Sequence, residues 1–260
     1  MSYTFFVLLL SIGLFVGMLV LLEVGRRIGI RRLVKDPDGA RAGFGTIEGA
    51  VLALLGLLLA FTVSGAGTRF DTRRHLIVEE TNAIGTAYLR LDMLPTAAQP
   101  ALRENFRRYV DARLDVYRKL PDITAAKEAL DRGAKLQGEI WRLAISGVRA
   151  EAAPLQAAVV LLPALNAMID ITTTRTMAAQ MHPPVIVFVM LFALALVSSL
   201  LAGYGMAAGK SRSWFHMLCF AIVIAVTIYV VLDIEYPRLG LIRVDAFDQA
   251  LMELRASMEK

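Results

Sequence analysis

The chain has 260 residues, 57% of them hydrophobic and 20% charged, with a formal charge of +5 at pH 7. Soluble domains run about 45–50% apolar and about 25% charged. The excess here sits in four stretches without an Asp, Glu, Lys or Arg, at residues 4–22, 49–68, 176–209 and 213–232. About 20 apolar residues span a bilayer as a helix, so a cytosolic enzyme, a secreted disulfide scaffold and a disordered chain are excluded. The single cysteine, Cys219, lies in the last stretch, which leaves no disulfide framework and no CxxC metal site.

The first stretch lacks a basic n-region and a small-x-small cleavage site, so it reads as a retained transmembrane helix rather than a signal peptide. Arg26, Arg27, Arg31, Arg32, Lys35 and Arg41 follow it, and Asp36-Pro37-Asp38-Gly39 is a turn signal within the same connection. The second span begins near Gly49. After it, residues 69–181 carry 16 Lys+Arg and 13 Asp+Glu, too many charges for lipid. Spans three and four form a hairpin joined near Gly209-Lys210-Ser211-Arg212, and a short tail of mixed charge follows from Asp233. The expected divisions are 1–68, 69–182, 183–233 and 234–260.

Basic residues in short loops mark the cytoplasmic side. Six lie between spans one and two and two between spans three and four, on one side of a four-span protein. This predicts a multi-pass membrane protein with both termini and the charged segment outside the cytoplasm. The positive charge excess then records topology and lipid headgroups, and no nucleic-acid partner is invoked.

The charged segment reads as helical throughout. Phe70, Ile77, Ile84, Tyr88 and Leu91 keep a helical beat that continues the second span until Pro95. Thr96 with Gln99 makes a capping-box signal ahead of the stripe Leu102, Phe106, Tyr109, Val110, Leu114 and Tyr117. Pro121-Asp122 restarts a helix whose inward face is Ile123, Ala126, Leu130, Leu136, Ile140, Leu143 and Val148. Pro154 suits the first turn of another, with the stripe Leu155, Val159, Leu162, Leu165 and Ile169. That last helix reads as one buried among its neighbours, because Asp170 and Arg175 follow, although residues 152–169 are apolar enough for a fifth span.

Catalytic motifs are absent, which predicts a protein without enzymatic activity. His75, His182 and His216 have no partner at metal-ligand spacing, and Gly43-Phe44-Gly45-Thr46-Ile47-Glu48-Gly49 lacks the spacing of a phosphate loop. No metal or cofactor is therefore expected.

Span two is the informative one. Gly45, Gly49, Ala53, Gly56, Ala60, Ser64 and Gly67 recur every three or four residues, so one face has almost no side-chain bulk. Such a face serves close helix packing, or it lines an axial pore when several copies assemble, with Thr62, Ser64 and Thr68 supplying hydroxyls. Gly13 and Gly17 in span one form a second small pair, read as packing. Glu48 either caps the start of span two or stands at a pore mouth. Arg69, Arg73 and Arg74 either concentrate anions at the other mouth or anchor to headgroups. Asn166 and Asp170, four residues apart, are expected to form a buried polar network between helices.

The run from Glu48 to Ala66, then Arg69-Phe70-Asp71-Thr72-Arg73-Arg74, then the run from Glu79 to Pro95, together with Leu165-Asn166-Ala167-Met168-Ile169-Asp170, resembles a bacterial membrane family labelled bestrophin-like. The resemblance covers most of the chain. Bestrophins proper are pentameric anion channels with a helical domain on the cytoplasmic side. The resemblance thus implies a homo-oligomer, a pentamer by analogy, with span two around the axis. Two features depart from it: span two carries only Phe61, with Phe70 beyond it, in place of an aromatic neck, and the loop charges put the helical domain outside.

These readings combine into an all-α, four-span membrane protein with an extramembrane helical bundle between spans two and three. The expected function is a passive channel, for small anions, in a homo-oligomer embedded in lipid. The alternative is a membrane-anchored sensor or scaffold that binds a ligand or partner through residues 69–182.

Overall fold

The structure, a computed structural model, describes residues 3–35, 44–209 and 213–259. The turn at Asp36-Pro37-Asp38-Gly39, Arg41, and the Lys210-Ser211-Arg212 junction lie outside the described residues. Eight α-helices follow in order among the described residues: α1 (Tyr3–Lys35), α2 (Phe44–Leu89), α3 (Gln99–Arg118), α4 (Ile123–Val148), α5 (Leu155–Gln180), α6 (Val185–Gly205), α7 (Trp214–Glu235) and α8 (Gln249–Ser257). No strand occurs among them. Four segments are long and apolar enough to cross a membrane: Tyr3–Lys35, Gly45–Met93, Leu155–Ala208 and Trp214–Glu235. The chain divides into two compact units: Met1–Thr68 with His182–Tyr236, and Arg69–Met181 with Pro237–Lys260.

The first unit holds the four spans. Its core joins Val7, Leu14 and Met18 of α1, Leu55 and Leu59 of α2, Leu191 and Ala195 of α6, and Ala221 and Ile228 of α7. α1 runs past the expected end of span one, to Lys35. Glu23 pairs with Arg27 at 2.8 Å one turn on, an (i, i+4) arrangement that supports a helix. Arg32 and Lys35 fall in its last turn, where the helix dipole favours cations.

Gly25 and Gly29 explain why this extension stays against α6. A Cβ built on Gly25 would lie 2.0 Å from the Leu200 carbonyl oxygen, and one on Gly29 would meet Ala207 Cβ at 2.5 Å. Reciprocally, a Cβ on Gly203 would lie 2.0 Å from the Leu22 carbonyl oxygen. Only glycine permits backbones this close. Gly17 meets Leu196, Gly25 meets Leu200, and Gly29 meets Tyr204 and Ala207, so the two helices run parallel. Odd-numbered spans of one chain must do so. The expected packing pair fares less simply: Gly17 touches Leu196 at 3.2 Å, but nothing lies within 4 Å of a Cβ on Gly13.

The second unit is a bundle of the far half of α2 with α3, α4, α5 and α8. Ile84, Leu91, Leu102, Phe106, Ile140, Leu161, Leu165 and Leu251 share its core. α2 itself runs unbroken for 46 residues, from span two into the bundle. Asp122 caps α4 by accepting from the Ala125 N–H at 3.0 Å. The capping box at Thr96 does not form: α3 begins at Gln99, with Pro100 in its first turn, after a turn in which Ala98 is the N-cap without a side-chain bond. Gln99 instead donates to the Leu94 carbonyl at 2.8 Å.

Two apolar stripes are rotated from their expected phase. On α4 the expected Ala126, Leu136 and Ile140 are buried, but Ile123 is 76% exposed and Leu130, Leu143 and Val148 are half-buried, while Ala129, Gly133, Ala144 and Gly147 take inward positions. On α5, Leu155 and Val159 are 91% and 75% exposed, while Ala157, Leu161, Ala164, Leu165 and Met168 are buried. In both helices small residues take the inward positions, which lets helix backbones approach and turns the bulkier neighbours outward. α5 packs into the core of this second unit, through Leu161, Leu165 and Met168.

Candidate functional site

α2 presents two chemically distinct faces within the membrane unit. Leu55, Leu59, Thr62 and Ala66 are buried, at 1–7% exposure, against the other spans. Gly49, Ala53, Gly56, Ala60 and Ser64 lie on a different side and are exposed, with Gly67 intermediate. A Cβ built on Gly45, Gly49, Gly56 or Gly67 meets nothing within 4 Å. Among the described residues nothing packs against these glycines. Leu54, Leu57 and Phe61 occupy a third side and are 54–67% exposed.

The hydroxyls divide between these faces. Thr62 is buried and donates to the Leu58 carbonyl at 2.7 Å, one turn back in its own helix. Thr68 does the same with the Ser64 carbonyl at 3.0 Å. Ser64 itself is exposed on the bare face.

Of the four charges expected at the ends of α2, two are placed elsewhere. Glu48 shares the inward side of the helix with Leu55 and Leu59, and its carboxylate lies over Gly205 of α6, 2.6 Å from where a Cβ would be. Arg73 is 8% exposed. It donates to the Ala178 carbonyl at 3.1 Å and the Met181 carbonyl at 2.8 Å, closing the C-terminus of α5. Carbonyls at a helix end lack intrahelical partners, so an arginine there is held as a cap. Arg74 pairs with Asp71 at 3.1 Å and its guanidinium lies 4.5 Å from the Phe247 ring. Arg69 is partly exposed.

Asn166 and Asp170 are exposed on α5. They fall opposite the Leu161–Leu165–Met168 stripe that faces the core, so the buried polar network expected of them lies at other residues. It centres on Glu80 of α2, which is wholly buried. Arg113 of α3 and Arg175 of α5 both bond its carboxylate. Burial alone would push the Glu80 carboxyl up, but the two guanidiniums hold it below the usual range. Arg113 also donates to the Tyr117 hydroxyl at 3.2 Å. Beside it, Tyr109, Thr172 and Gln137 share bonds of 2.8–3.1 Å, and burial pushes the Tyr109 phenol up to about 12.

A second polar cluster lies in the membrane unit at the end of α7. Asp233 and Glu235 are fully buried. Tyr229 donates to Asp233 at 3.4 Å, His182 Nδ1 lies 3.4 Å from Glu235, and the His182 ring stacks on Tyr236 at 4.3 Å. No spacing signal links His182 to Glu235, 53 residues apart, and none links Glu80 to Arg113 or Arg175. Both clusters were invisible to motif reading. The one local hint was that Glu80 falls within an apolar beat, three residues after Ile77 and four before Ile84. Among the described residues no group of three or more His, Cys, Asp or Glu side chains is arranged to hold a metal ion.

The fold and the bare face of α2 define a four-span helical membrane protein whose second span continues into an extramembrane bundle. The bestrophin-like domain model matches residues 12–246, and the chain belongs to that family. A crystal structure of a bacterial bestrophin homologue from Klebsiella pneumoniae, carrying a tyrosine-to-alanine mutation, is similar in fold with a TM-score of 0.64. It is 14% identical, over 93% of this chain and 97% of that one. No curated protein matches the chain.

Proposed function

We propose that this protein is a passive ion channel, a homo-oligomer in which the bare face of α2 from several copies surrounds the conduction path. One observation carries the reading. The glycine, alanine and serine positions of α2 are left open by the described residues, while Leu55 and Leu59 on the opposite side of the same helix are packed. Lipid covers outward leucines such as Leu54 and Leu57 well, whereas a face of small residues is suited to close contact with another copy or to an aqueous path. Membership of the bestrophin-like family supports the oligomer, and five copies is the number proposed by analogy.

Small anions are the proposed cargo, on the basic residues Arg69 and Arg74 after the span. Arg73 leaves that set because α5 holds it, and Asp71 partly offsets Arg74. The loop charges support an orientation with the helical bundle outside the cytoplasm, in the bacterial inner membrane. Reporter fusions at Pro95 and Lys260 check that orientation.

The test is reconstitution of purified protein in liposomes. Chloride current is expected, with the reversal potential under a salt gradient reading anion over cation. Absence of current for any ion, or a monomer by native mass spectrometry, overturns the channel.

A further inference from the structure

The chain beyond α7 carries an element that nothing above uses. After Pro237 it returns along the extramembrane half of α2 and touches that helix in matching order. The guanidinium of Arg74 lies 4.5 Å from the Phe247 ring. Arg175, bonded to Glu80, reaches Asp248 at 3.4 Å. A Cβ on Gly85 would lie 3.3 Å from the Leu254 side chain. Tyr88 donates to the Met258 carbonyl at 3.2 Å. These points advance together over residues 74–88 of α2, about 21 Å of helix at 1.5 Å per residue.

We infer that residues 237–258 are a splint that sets the position of the extramembrane half of α2, so that the end of the chain acts on the helix carrying the bare face. The splint is fastened where it starts. Arg238, the third residue after α7 ends at Glu235, forms a two-pronged pair with Asp248 and bonds Asp245 at 2.8 Å. Arg175 and Arg238 both lie against the Tyr117 ring, at 4.0 and 4.5 Å. Three guanidiniums (Arg113, Arg175, Arg238) thus meet three carboxylates (Glu80, Asp245, Asp248), and Asp248 is the residue through which the splint joins Glu80. A planar guanidinium paired in this fork is geometrically demanding, so a small displacement of the splint is felt at Glu80. The far end is fastened to α3 as well as to α2, by Arg255 on Asp111 at 2.9 Å and by Arg107 on the Met258 carbonyl at 3.1 Å.

The splint is tested by hydrogen–deuterium exchange of the full chain in lipid, comparing Asp248→Asn with Arg255→Ala. Asp248→Asn is expected to raise exchange severalfold in residues 69–89 as well as in 237–258, whereas Arg255→Ala loosens only the last residues. Faster exchange confined to 237–258 in Asp248→Asn overturns the coupling, and so does equal loosening of 69–89 by both variants. If Asp248→Asn does not fold, Asp245→Asn removes one of the contacts to Arg238 and is read in the same way. A second arm rests on the channel reading. In liposomes where the wild type conducts, Asp248→Asn is expected to change the open fraction, and an unchanged current overturns control of the path by the splint. A wild type that does not conduct overturns the channel alone, since the exchange arm still decides the splint.

Discussion

α1 and α6 bring Gly25, Gly29 and Gly203 to where backbones touch, whereas the membrane half of α2 carries Gly45, Gly49, Gly56 and Gly67 where nothing does. On the first pair, Cβ atoms on Gly25 and Gly203 would each fall 2.0 Å from a carbonyl oxygen of the facing helix. On α2, Cβ atoms on Gly45, Gly49, Gly56 and Gly67 would meet open space. The residue type is the same and the sequence spacing is similar, three or four positions apart. In a membrane, small residues are explained by close packing between helices, and that explanation accounts for Gly25, Gly29 and Gly203. It does not account for α2 within one chain. What the small residues of α2 make room for lies outside the protomer, and the channel proposal follows from that difference.

The comparison breaks most directly at Gly203. Gly203→Ala sets a methyl into the backbone of α1, an obstacle that no rotamer change relieves. Overpacking of a filled core costs about 1–3 kcal/mol and occasionally more, and a backbone obstacle belongs at the upper end. The expected outcome is a clear loss of thermal stability in detergent, read by circular dichroism, and Gly25→Ala should match it. Unchanged melting of both variants would show that the α1–α6 contact is not close-packed, and the contrast with α2 would dissolve.

Gly56→Leu sharpens the other half. Nothing among the described residues lies within 4 Å of a Cβ there, so the melting temperature of the protomer fold is expected to stay near that of the wild type. Liposome current should fall strongly, because each copy adds a bulky side chain to the same path. Loss of assembly with any residual current unchanged would assign the face to contacts between copies instead. Phe61 and Leu57, on a third side of the same helix, provide the control: Leu57→Ala is expected to change current far less than Gly56→Leu.

How much of this was legible before the structure differs between the two faces. The α2 stripe could be read directly, because its spacing runs through an uninterrupted apolar stretch. Gly25 and Gly29 could not, because Arg26, Arg27, Arg31 and Arg32 surround them and make the segment look like a loop. In the folded helix Gly25 and Gly29 are buried while Arg27, Arg31 and Arg32 are exposed, a division that only the helix pair defines. Similarly, Leu155 and Val159 fit a helical beat as well as Leu161 and Leu165 do. Which beat is buried was decided by the small residues Ala157 and Ala164, whose packing partners come from other helices. The Glu80 network escaped for a related reason: ion pairs across 33 and 95 residues leave no local pattern. Asp122, by contrast, was readable because a helix cap is a contact across three residues.

The smallest expected effect is also the most discriminating. Gly49→Ala adds one methyl to the bare face, and Gly13→Ala adds one to an open position on α1. Alanine is favoured over glycine in helix interiors by up to about 1 kcal/mol, and no contact opposes it at either site. Both variants should therefore melt at or slightly above the wild-type temperature, opposite in sign to Gly203→Ala. They should part company in current. A methyl on α1 touches no proposed path and leaves conduction unchanged, while a methyl on α2 is repeated around the axis by every copy. A modest change in conductance for Gly49→Ala, with none for Gly13→Ala, would tie the bare face to the path rather than to helix stability. Equal currents from the two variants would remove Gly49 from the lining and leave the path to the stretch from Ala53 onward.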